Sequence, residues 1–455
     1  MKFFFFNSYF KKRVIFIPYL NNLINIYSCG PTVYNFSHLG NLRFYIFTDF
    51  VKSFFYCLGF KIFHVMNITD VGHLERDSDY GEDKINKISI KKKISPLFVT
   101  NFYKYYFLKN LKKIFFFKPD FLFNASDIIY EIRNFIFYLE KSEFSYFLNG
   151  NMFFNVFIFI FSTINYSINF FSNFSKLEFF TNNIKEKDFV LWFNNSKFKS
   201  HLMKWNFSLN SNGFPGWHIE CSSITLKFFL NKLDIHISGQ DHFSIHNKNE
   251  IFQSEAFLLN NWVKLLFHVN FLLVNEKKMS KSLNNFLTLK DLYKNGFSPL
   301  NFRFYCLNFN YKNEISFNFS FFLKIKKSFK LLISIFFFNL NKNTLFLDYK
   351  IINFYRKKLW YFLYNDFDGS SFINFLFIFL KKNSIFSLNK FFIFFEFNRV
   401  FKFLKNNFYS LNIKILFLIR KRLFYRNLKK YLFSDLIRNK INISYLLVKD
   451  SKISI

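Results

Sequence analysis

Short apolar runs and one amphipathic segment alternate near the start of the chain, and this alternation most restricts its fold. Residues 23–29 (LINIYSC) predict a buried strand followed by a Gly-Pro turn, and residues 64–69 (HVMNIT) predict a second strand. Between them we expect a helix that begins at about His38, keeps an apolar face to Phe54 and ends near Gly59, a residue type suited to helix C-termini. Strand, turn, helix and strand in this order open a nucleotide-binding α/β unit.

Later segments continue this alternation and then give way to a different pattern. Residues 233–239 (LDIHISG) and 270–274 (NFLLV) predict strands, and a helix is expected around residues 246–259. Residues from about 115 to 205 are rich in Phe and Asn and poorly periodic, which indicates an insertion between two halves of the α/β unit. Beyond residue 320 the pattern is basic and helical.

The composition permits an RNA partner without identifying one. The sequence has 63 Lys and Arg against 29 Asp and Glu, a formal net charge of +34, which is typical of proteins that bind nucleic acid or anionic lipid. It also contains 81 Phe. Because Phe, Lys, Asn, Ile and Tyr all have A/T-rich codons, a mutational bias toward such codons explains part of the charge.

Membrane insertion and secretion are the alternatives that the Phe content raises. The longest apolar runs, such as Met152–Phe161, fall short of the roughly 20 residues that a membrane-spanning helix needs. The N-terminal Phe run continues into residues 11–13 (KKR) without a small-residue cleavage site, so no signal peptide is expected. Four widely scattered Cys argue against a disulfide framework. We therefore expect a soluble, cytoplasmic protein.

Two short strings have the chemistry of an ATP site. Residues 38–41 (HLGN) stand where the first helix begins, and backbone N–H groups at a helix N-terminus attract phosphate. Gly40 leaves room for a flat base against the backbone. Residues 278–282 (KMSKS) would form a mobile loop whose two Lys neutralise phosphate charge. Taken singly, each string is also compatible with an ordinary helix cap or a solvated basic loop.

Two Cys, one His and one Glu form a candidate metal set. Cys29 follows the first strand, and Cys221 lies in the string GFPGWHIECSS. His246 and Glu250 are four residues apart, so on a helix their side chains share one face. Two thiolates, an imidazole and a carboxylate suit zinc. Spacing alone is a weak signal, because HxxxE occurs by chance and Cys29 is distant in sequence.

In this order and combination, the strings resemble those of the class I aminoacyl-tRNA synthetases, and more narrowly the cysteinyl-tRNA synthetases. The resemblance is densest over residues 27–85 and 213–290. It implies an α/β fold: a Rossmann-like catalytic domain over residues 1–300, with the insertion at about 115–205. A connecting segment over residues 301–325 and an all-α helical tRNA- and anticodon-binding region over residues 326–455 would follow.

The resemblance also implies roles for individual residues. The ATP site would comprise His38, Gly40, Asn41, Lys278 and Lys281. His38 and Lys281 would be catalytic, because they stabilise the charge that builds on the α-phosphate. One zinc ion per chain would be held by Cys29, Cys221, His246 and Glu250. The bound cysteine would be surrounded by Thr69, Trp217, His218, His236 and Asp241, with Asp241 as a partner for its ammonium group.

The sequence departs from the family at three positions and leaves the role of one pocket residue open. Asn247 follows His246 where the family reads HHxNE, Lys248 replaces a usually acidic or polar residue, and Asn284 replaces the usual Gly after KMSKS. Asn tolerates a positive φ better than other non-Gly residues, so the turn can be kept. Taken by itself, Trp217 is more typical of a hydrophobic core than of a binding pocket.

The activity that the resemblance implies is a two-step ligation. Cysteine and ATP, with Mg²⁺, would give cysteinyl-adenylate, and the cysteinyl group would pass to the 3′ end of tRNA(Cys). Zinc would distinguish the thiol of cysteine from the hydroxyl of serine. We expect a monomer without a membrane partner, with tRNA phosphates near Arg422, Arg426, Lys429 and Lys430. One alternative is a cysteine ligase that uses an aminosugar acceptor, and another is a non-enzymatic RNA- or membrane-binding derivative.

Overall fold

A computed structural model of the protein describes residues 2–72, 74, 83–165, 188–194, 201–208, 211–280, 283, 285–340, 349–382, 387–402, 432–433 and 436. The chain divides into two units. The first consists of Met1–Pro299, Phe309–Asn318 and Tyr364–Asp366, and the second of Leu300–Asn308, Phe319–Leu363 and the chain from Phe367.

The strands are numbered in chain order through the described residues. They are β1 (Phe3–Asn7), β2 (Lys12–Phe16), β3 (Leu23–Ser28), β4 (Lys61–Ile68), β5 (Phe121–Asn124), β6 (Ser145–Leu148), β7 (Asn151–Phe154), β8 (Phe189–Phe193), β9 (Trp205–Ser208), β10 (Ser211–Pro215), β11 (Leu233–Gly239), β12 (Val263–Val269), β13 (Leu272–Val274), β14 (Lys277–Lys278) and β15 (Ile315–Phe317).

The helices are numbered in the same way. They are α1 (Leu39–Cys57), α2 (Lys84–Lys92), α3 (Pro96–Lys113), α4 (Ile129–Lys141), α5 (Val156–Asn165), α6 (Trp217–Phe229), α7 (His246–Leu258), α8 (Leu289–Lys294), α9 (Pro299–Leu307), α10 (Phe319–Leu340), α11 (Tyr349–Tyr364), α12 (Gly369–Lys381) and α13 (Ser387–Phe401).

A parallel five-stranded sheet with the order β12-β11-β3-β4-β5 forms the centre of the first unit. The predicted strands at residues 23–29, 64–69 and 233–239 are confirmed as β3, the end of β4 and β11. The helix expected from His38 is α1, and Gly59 follows it with a φ of +94°, as its predicted capping role requires. The carboxyl ends of these parallel strands lie at one edge, where α/β folds bind their ligands.

Two strands of this sheet escaped the sequence analysis. Strand β12 is almost wholly buried on both faces, so its sequence VKLLFHV lacks the alternation that marks a half-exposed strand. Strand β5 is short and pairs with β4, within the stretch interpreted as an insertion. The parallel sheet therefore extends beyond the predicted insertion boundary near residue 115.

The rest of that stretch contributes to a separate sheet with the order β6-β7-β8-β10-β9. Its strand pairs are antiparallel, and it continues past residue 205 to the end of β10 at Pro215. A buried hydrophobic cluster packs α4, α6 and α7 against the parallel sheet, with residues such as Ile132, Ile219 and Trp262.

The second unit is helical. It contains α9 from Leu300 onward, and its described part continues with α10 at Phe319 and through α11, α12 and α13. Arg303 on α9 is fully buried, and its Nε donates to the Phe401 carbonyl at 2.7 Å. Asp368 caps α12 by accepting a hydrogen bond from the Ser371 amide. The predicted RNA-contacting residues Arg422, Arg426, Lys429 and Lys430 lie outside the described residues. Within the described chain, no helix combines the length and apolarity that crossing a membrane requires.

Candidate active site and metal centre

The HLGN string forms the N-terminal cap of α1. His38 Nδ1 accepts a hydrogen bond from the Asn41 amide, and the Asn41 side chain accepts one from the His38 amide, each at 3.2 Å. A Cβ atom on Gly40 would lie 2.9 Å from two His38 ring atoms, so a side chain there would displace the imidazole. Burial lowers the pKa of His38 to about 4, with Lys278 adding to the effect, so the ring is neutral at pH 7.

The KMSKS string follows the hairpin of β13 and β14. Lys278 lies at the end of β14, and its Nζ is 3.9 Å from the Asp241 carboxylate. The predicted catalytic residue Lys281 lies outside the described residues, as does Asn284. Asn285 is nearly buried and fastens this segment: its side-chain oxygen accepts from the Ser280 amide at 2.8 Å, and its NH₂ group approaches the Lys278 carbonyl at 3.1 Å.

Backbone and side-chain contacts join the HLGN turn to the segment that carries KMSKS. The Leu39 amide donates to the Leu287 carbonyl at 2.8 Å, and the His38 and Phe286 rings meet edge to face. The buried guanidinium of Arg43 on α1 donates, at 2.6 to 3.4 Å, to the backbone carbonyls of Asn270, Phe271, Asn310, Tyr311 and Asn313. Arg43 therefore ties α1 to the base of the β13–β14 hairpin and to the residues before β15.

The predicted metal ligands come together next to this ATP-motif region, at the carboxyl edge of the sheet. Cys29 directly follows β3, Cys221 lies on α6, and His246 and Glu250 share one face of α7. One ligand atom from each of these four buried residues lies within 4.8 Å of the others. Gly30 permits the tight path of the chain after Cys29, because a Cβ there would lie 1.6 Å from the Asn67 carbonyl oxygen.

Electrostatic coupling within the cluster favours anionic donors. Burial raises the pKa of Cys29, but hydrogen bonds from Cys221 and nearby His side chains outweigh it and lower that pKa well below its usual value. Burial also raises the pKa of Glu250, and the charges of His246 and His236 bring it down to about 2. Two of the four groups therefore lose their protons readily, as a metal cation requires of its ligands, whereas burial and the hydrogen bond with Cys29 raise the pKa of Cys221.

The cluster fits zinc in its ligand types and in having buried side-chain atoms that are available for coordination. Thiolate, imidazole and carboxylate ligands bind zinc at about 2.0–2.3 Å in tetrahedral sites. Four ligand atoms that lie within 4.8 Å of one another can surround one zinc ion at such distances. His246 Nε2 and Glu250 Oε1 lie 3.1 Å apart, yet neither has a partner with good hydrogen-bond geometry among the described residues. Buried polar atoms that lack such a hydrogen-bond partner are suited to coordinate a metal.

Neighbouring side chains fix the orientation of both α7 ligands. His246 Nδ1 lies 3.0 Å from His218 Nδ1, which leaves Nε2 directed at the cluster. Glu250 Oε2 accepts a hydrogen bond from the Asn247 side chain at 2.6 Å and lies 3.0 Å from His236 Nε2, which leaves Oε1 available. Such partners hold metal ligands in their binding geometry.

Asn247, the residue that departs from the family pattern, is itself held in place. Its side-chain oxygen accepts from the Ser238 hydroxyl at 2.7 Å and lies 2.8 Å from His268 Nε2. His268 Nδ1 in turn contacts the hydroxyl of Ser8, which follows the β1–β2 hairpin's first strand. A buried chain of polar groups thus connects the N-terminal hairpin with the Glu250 carboxylate.

Among the predicted cysteine-binding residues, Trp217, His218 and His236 contact metal ligands. Thr69 and Asp241 contact other residues. The Trp217 ring lies over His246, with centroids 4.1 Å apart. His236 is buried against Glu250, as described above. Thr69 follows β4, and its hydroxyl accepts from the Asn67 side chain at 3.1 Å. Asp241 is exposed and faces Lys278, so it lies toward the KMSKS segment.

Sequence reasoning did not identify Arg43, Asn285 or His268. Glu220 was also missed: it is fully buried on α6, where burial and then Asp70 raise its pKa well above the usual range, although a hydrogen bond with Thr69 opposes the rise. Its position beside Cys221 in the string WHIEC was the available signal.

Comparison with known proteins places this fold and site in a class. The family model described as "tRNA synthetases class I (C) catalytic domain" matches residues 15–327, more than half of the chain. The chain therefore belongs to the class I tRNA synthetase (C) catalytic-domain family.

Individual relatives narrow the comparison. The chain is 40% identical to a cysteine–tRNA ligase of Borrelia turicatae over 301 residues, which is 65% of this chain and 62% of that protein. It is 37% identical to a cysteine–tRNA ligase of Treponema denticola over 314 residues, 69% of this chain and 64% of that protein. The match thus spans less than two thirds of the length of these relatives.

Solved structures support the fold. A methionyl-tRNA synthetase of Mycobacterium tuberculosis in complex with methionyl-adenylate superposes with a TM-score of 0.57 at 10% identity, covering 83% of this chain and 89% of that one. A LeuRS of Agrobacterium radiobacter K84 in a ternary complex superposes with a TM-score of 0.60 at 10% identity, covering 85% of each chain. The predicted class I synthetase fold, α/β with a helical part, is confirmed.

Proposed function

We propose that this protein is a cysteine–tRNA ligase. It joins L-cysteine to ATP as cysteinyl-adenylate, with release of pyrophosphate, and transfers the cysteinyl group to the 3′ end of tRNA(Cys). The names of the curated relatives support this tRNA acceptor and give no support to an aminosugar acceptor. We further propose that it works as a monomer in the cytoplasm, with Mg²⁺ accompanying ATP.

The observation that carries the proposal is the buried Cys29, Cys221, His246 and Glu250 cluster. A zinc ion held there would bind the substrate sulfur and lower its pKa, which favours a thiolate over the serine hydroxyl. A pocket that relied on apolar fit alone would separate these near-isosteres poorly. The chain's contribution is the fixed geometry: His218 orients His246, and Asn247 with His236 orients Glu250.

The ATP-motif region supplies positioning and charge. The positive end of the α1 dipole and the neutral His38 ring would meet the phosphates, while Gly40 would allow adenine to approach the backbone. Lys278 and Lys281 would neutralise the charge that grows on the α-phosphate as the cysteine carboxylate attacks. Asp241 would receive the cysteine ammonium, and Thr69, Trp217 and His236 would complete the pocket.

Aminoacylation of a tRNA transcript with labelled cysteine tests the proposal. Purified zinc-supplemented protein should charge a transcript that bears a cysteine anticodon, and should not charge it with serine. ATP–pyrophosphate exchange with each amino acid, measured without RNA, isolates the first step. Exchange that is equally fast with serine would contradict the thiol-selective site, and exchange without charging would contradict the tRNA acceptor.

A further inference from the structure

A solvent-exposed group of aromatic rings lies beside the ATP motif. On α3 the exposed fractions are 59% for Phe98, 39% for Phe102 and 60% for Tyr105. Phe98 and Phe102 stack one helical turn apart, with interplanar angle 19°. Phe36, which is 41% exposed, meets the Phe102 ring edge to face and stands two residues before His38. These four rings and the exposed Lys of α2 and α3 are called the aromatic–lysine face.

The segment that contains α2 and α3 is strongly basic. Residues 83–118 contain ten Lys and a single acidic residue, Asp83. Asp83 is buried and accepts hydrogen bonds at the start of α2, so its charge is not presented on the surface. Exposed lysines include Lys87, Lys91, Lys92, Lys109 and Lys112. The ratio of basic to acidic residues here, ten to one, is far higher than the ratio of 63 Lys and Arg to 29 Asp and Glu in the whole chain.

Cationic groups and rings are also in contact. Lys109 lies over the Tyr105 ring at 5.9 Å from the centroid, and Lys92 lies over the Tyr103 ring at 5.8 Å. Tyr103 in turn packs against Phe36 and Phe102. Aromatic rings interleaved with cations bind single-stranded nucleic acid, because bases stack on the rings and phosphates meet the charges. Lys is depleted at protein–protein interfaces, which makes a protein partner a poorer fit.

We propose that the aromatic–lysine face binds the single-stranded 3′ end of an RNA acceptor by stacking its bases on Phe98, Phe102 and Tyr105. This inference rests on the proposed function, since that reaction requires an RNA end to reach the site. Phe36 belongs to the loop between Cys29 and His38, so an RNA strand stacked here lies next to the residues that would form the adenylate.

Fluorescence anisotropy with labelled RNA hairpins tests the inference on the full-length protein. One hairpin carries a short single-stranded 3′ tail and the other is blunt-ended. The double variant Phe98→Ala/Phe102→Ala should bind the tailed hairpin about tenfold more weakly than wild type and the blunt hairpin equally well. Tyr105→Ala gives a milder second variant. Tyr130→Ala, which removes a 72% exposed ring on α4, is the matched control and should bind both hairpins as wild type does.

The outcomes separate this inference from the proposed function. Unchanged binding of the tailed hairpin by folded double and Tyr105 variants would overturn the inference, as would equal weakening for both hairpins. Concentration-dependent self-association of wild type that the double variant abolishes would assign the face to a second copy and also overturn it. Cysteine-dependent ATP–pyrophosphate exchange by wild type involves no RNA, so its absence would count against the proposed function alone. Thermal unfolding of each variant serves as the folding check.

Discussion

The metal-ligand cluster and the KMSKS segment are close in space but opposite in character. The cluster is sealed: Glu250 is fully buried, and Cys29, Cys221 and His246 are at most 4% exposed. In the KMSKS segment, the side chains of Lys278 and its partner Asp241 are 55% and 40% exposed and 3.9 Å apart. An ion pair with this degree of exposure contributes little to the free energy of folding.

The difference indicates a division of labour. A site that tells a thiol from a hydroxyl needs its ligands preset, because a displacement of the metal would weaken the selectivity that it provides. A loop that follows phosphate charge as pyrophosphate leaves needs freedom to move, which exposed lysines retain. Arg43 and Asn285 hold the base of the loop.

The largest expected effect is a loss of zinc affinity at the buried metal-ligand cluster. Cys221→Ala should lower zinc affinity by more than about a hundredfold, because loss of a direct ligand exceeds the loss of a residue that orients one. Zinc content after dialysis against a chelator measures this. Cys57→Ala, which changes a partly exposed Cys outside the cluster, should keep its zinc. Full zinc occupancy in Cys221→Ala would remove that residue from the ligand set.

In the KMSKS segment, Lys281→Ala should slow cysteine-dependent ATP–pyrophosphate exchange by about a hundredfold, because it removes a positive charge that would stabilise the transition state. Its zinc content should equal that of wild type. Lys277→Ala, at an exposed position on β14, is the control and should retain exchange. Near-normal turnover of Lys281→Ala would refute the catalytic role of Lys281.

A smaller effect is expected at Asn247, which touches a ligand but not the metal. Asn247→Ala should weaken zinc binding by about tenfold, because Glu250 loses its 2.6 Å hydrogen bond. In cobalt-substituted protein the visible absorption bands should shift as the carboxylate reorients. Lys248→Ala, the next residue on α7, should leave both properties unchanged. Identical cobalt spectra and affinities for Asn247→Ala and wild type would show that Asn247 does not position Glu250.

The smallest effect concerns pH. The folded-state pKa of His38 is about 4 against an ordinary value of 6.5, so below pH 6.5 the unfolded chain takes up a proton that the folded chain does not. His38 therefore makes the free energy of unfolding fall as pH falls from 6.5 to 4. His38→Asn keeps a capping side chain without this titration. Its melting temperature should depend less on pH than that of wild type, and parallel pH curves would contradict the assignment.

The sequence predicted which residues share a helix face better than it predicted which residues from distant parts of the chain come together. His246 and Glu250 share a helix face by their spacing, and their placement followed from that periodicity. Their approach to Cys29 depends on β3 pairing with β11, a long-range register that no local pattern specifies. It was therefore accessible only through family resemblance.

Residues that act through the backbone were missed for a related reason. Arg43 and Asn285 bond to carbonyl groups, which every residue carries, so no partner side chain in the sequence marks them. The short strand β5 was missed because a run of four residues has too few positions to show periodicity.

Calorimetric titration of cysteine and serine without ATP tests the division of labour most directly. Zinc-supplemented wild type should bind cysteine and not serine, Lys281→Ala should bind cysteine as wild type does, and Cys221→Ala should lose this binding. Selective cysteine binding that survives in Cys221→Ala but is lost in Lys281→Ala would contradict the account, because selection of the amino acid would then belong to the KMSKS segment.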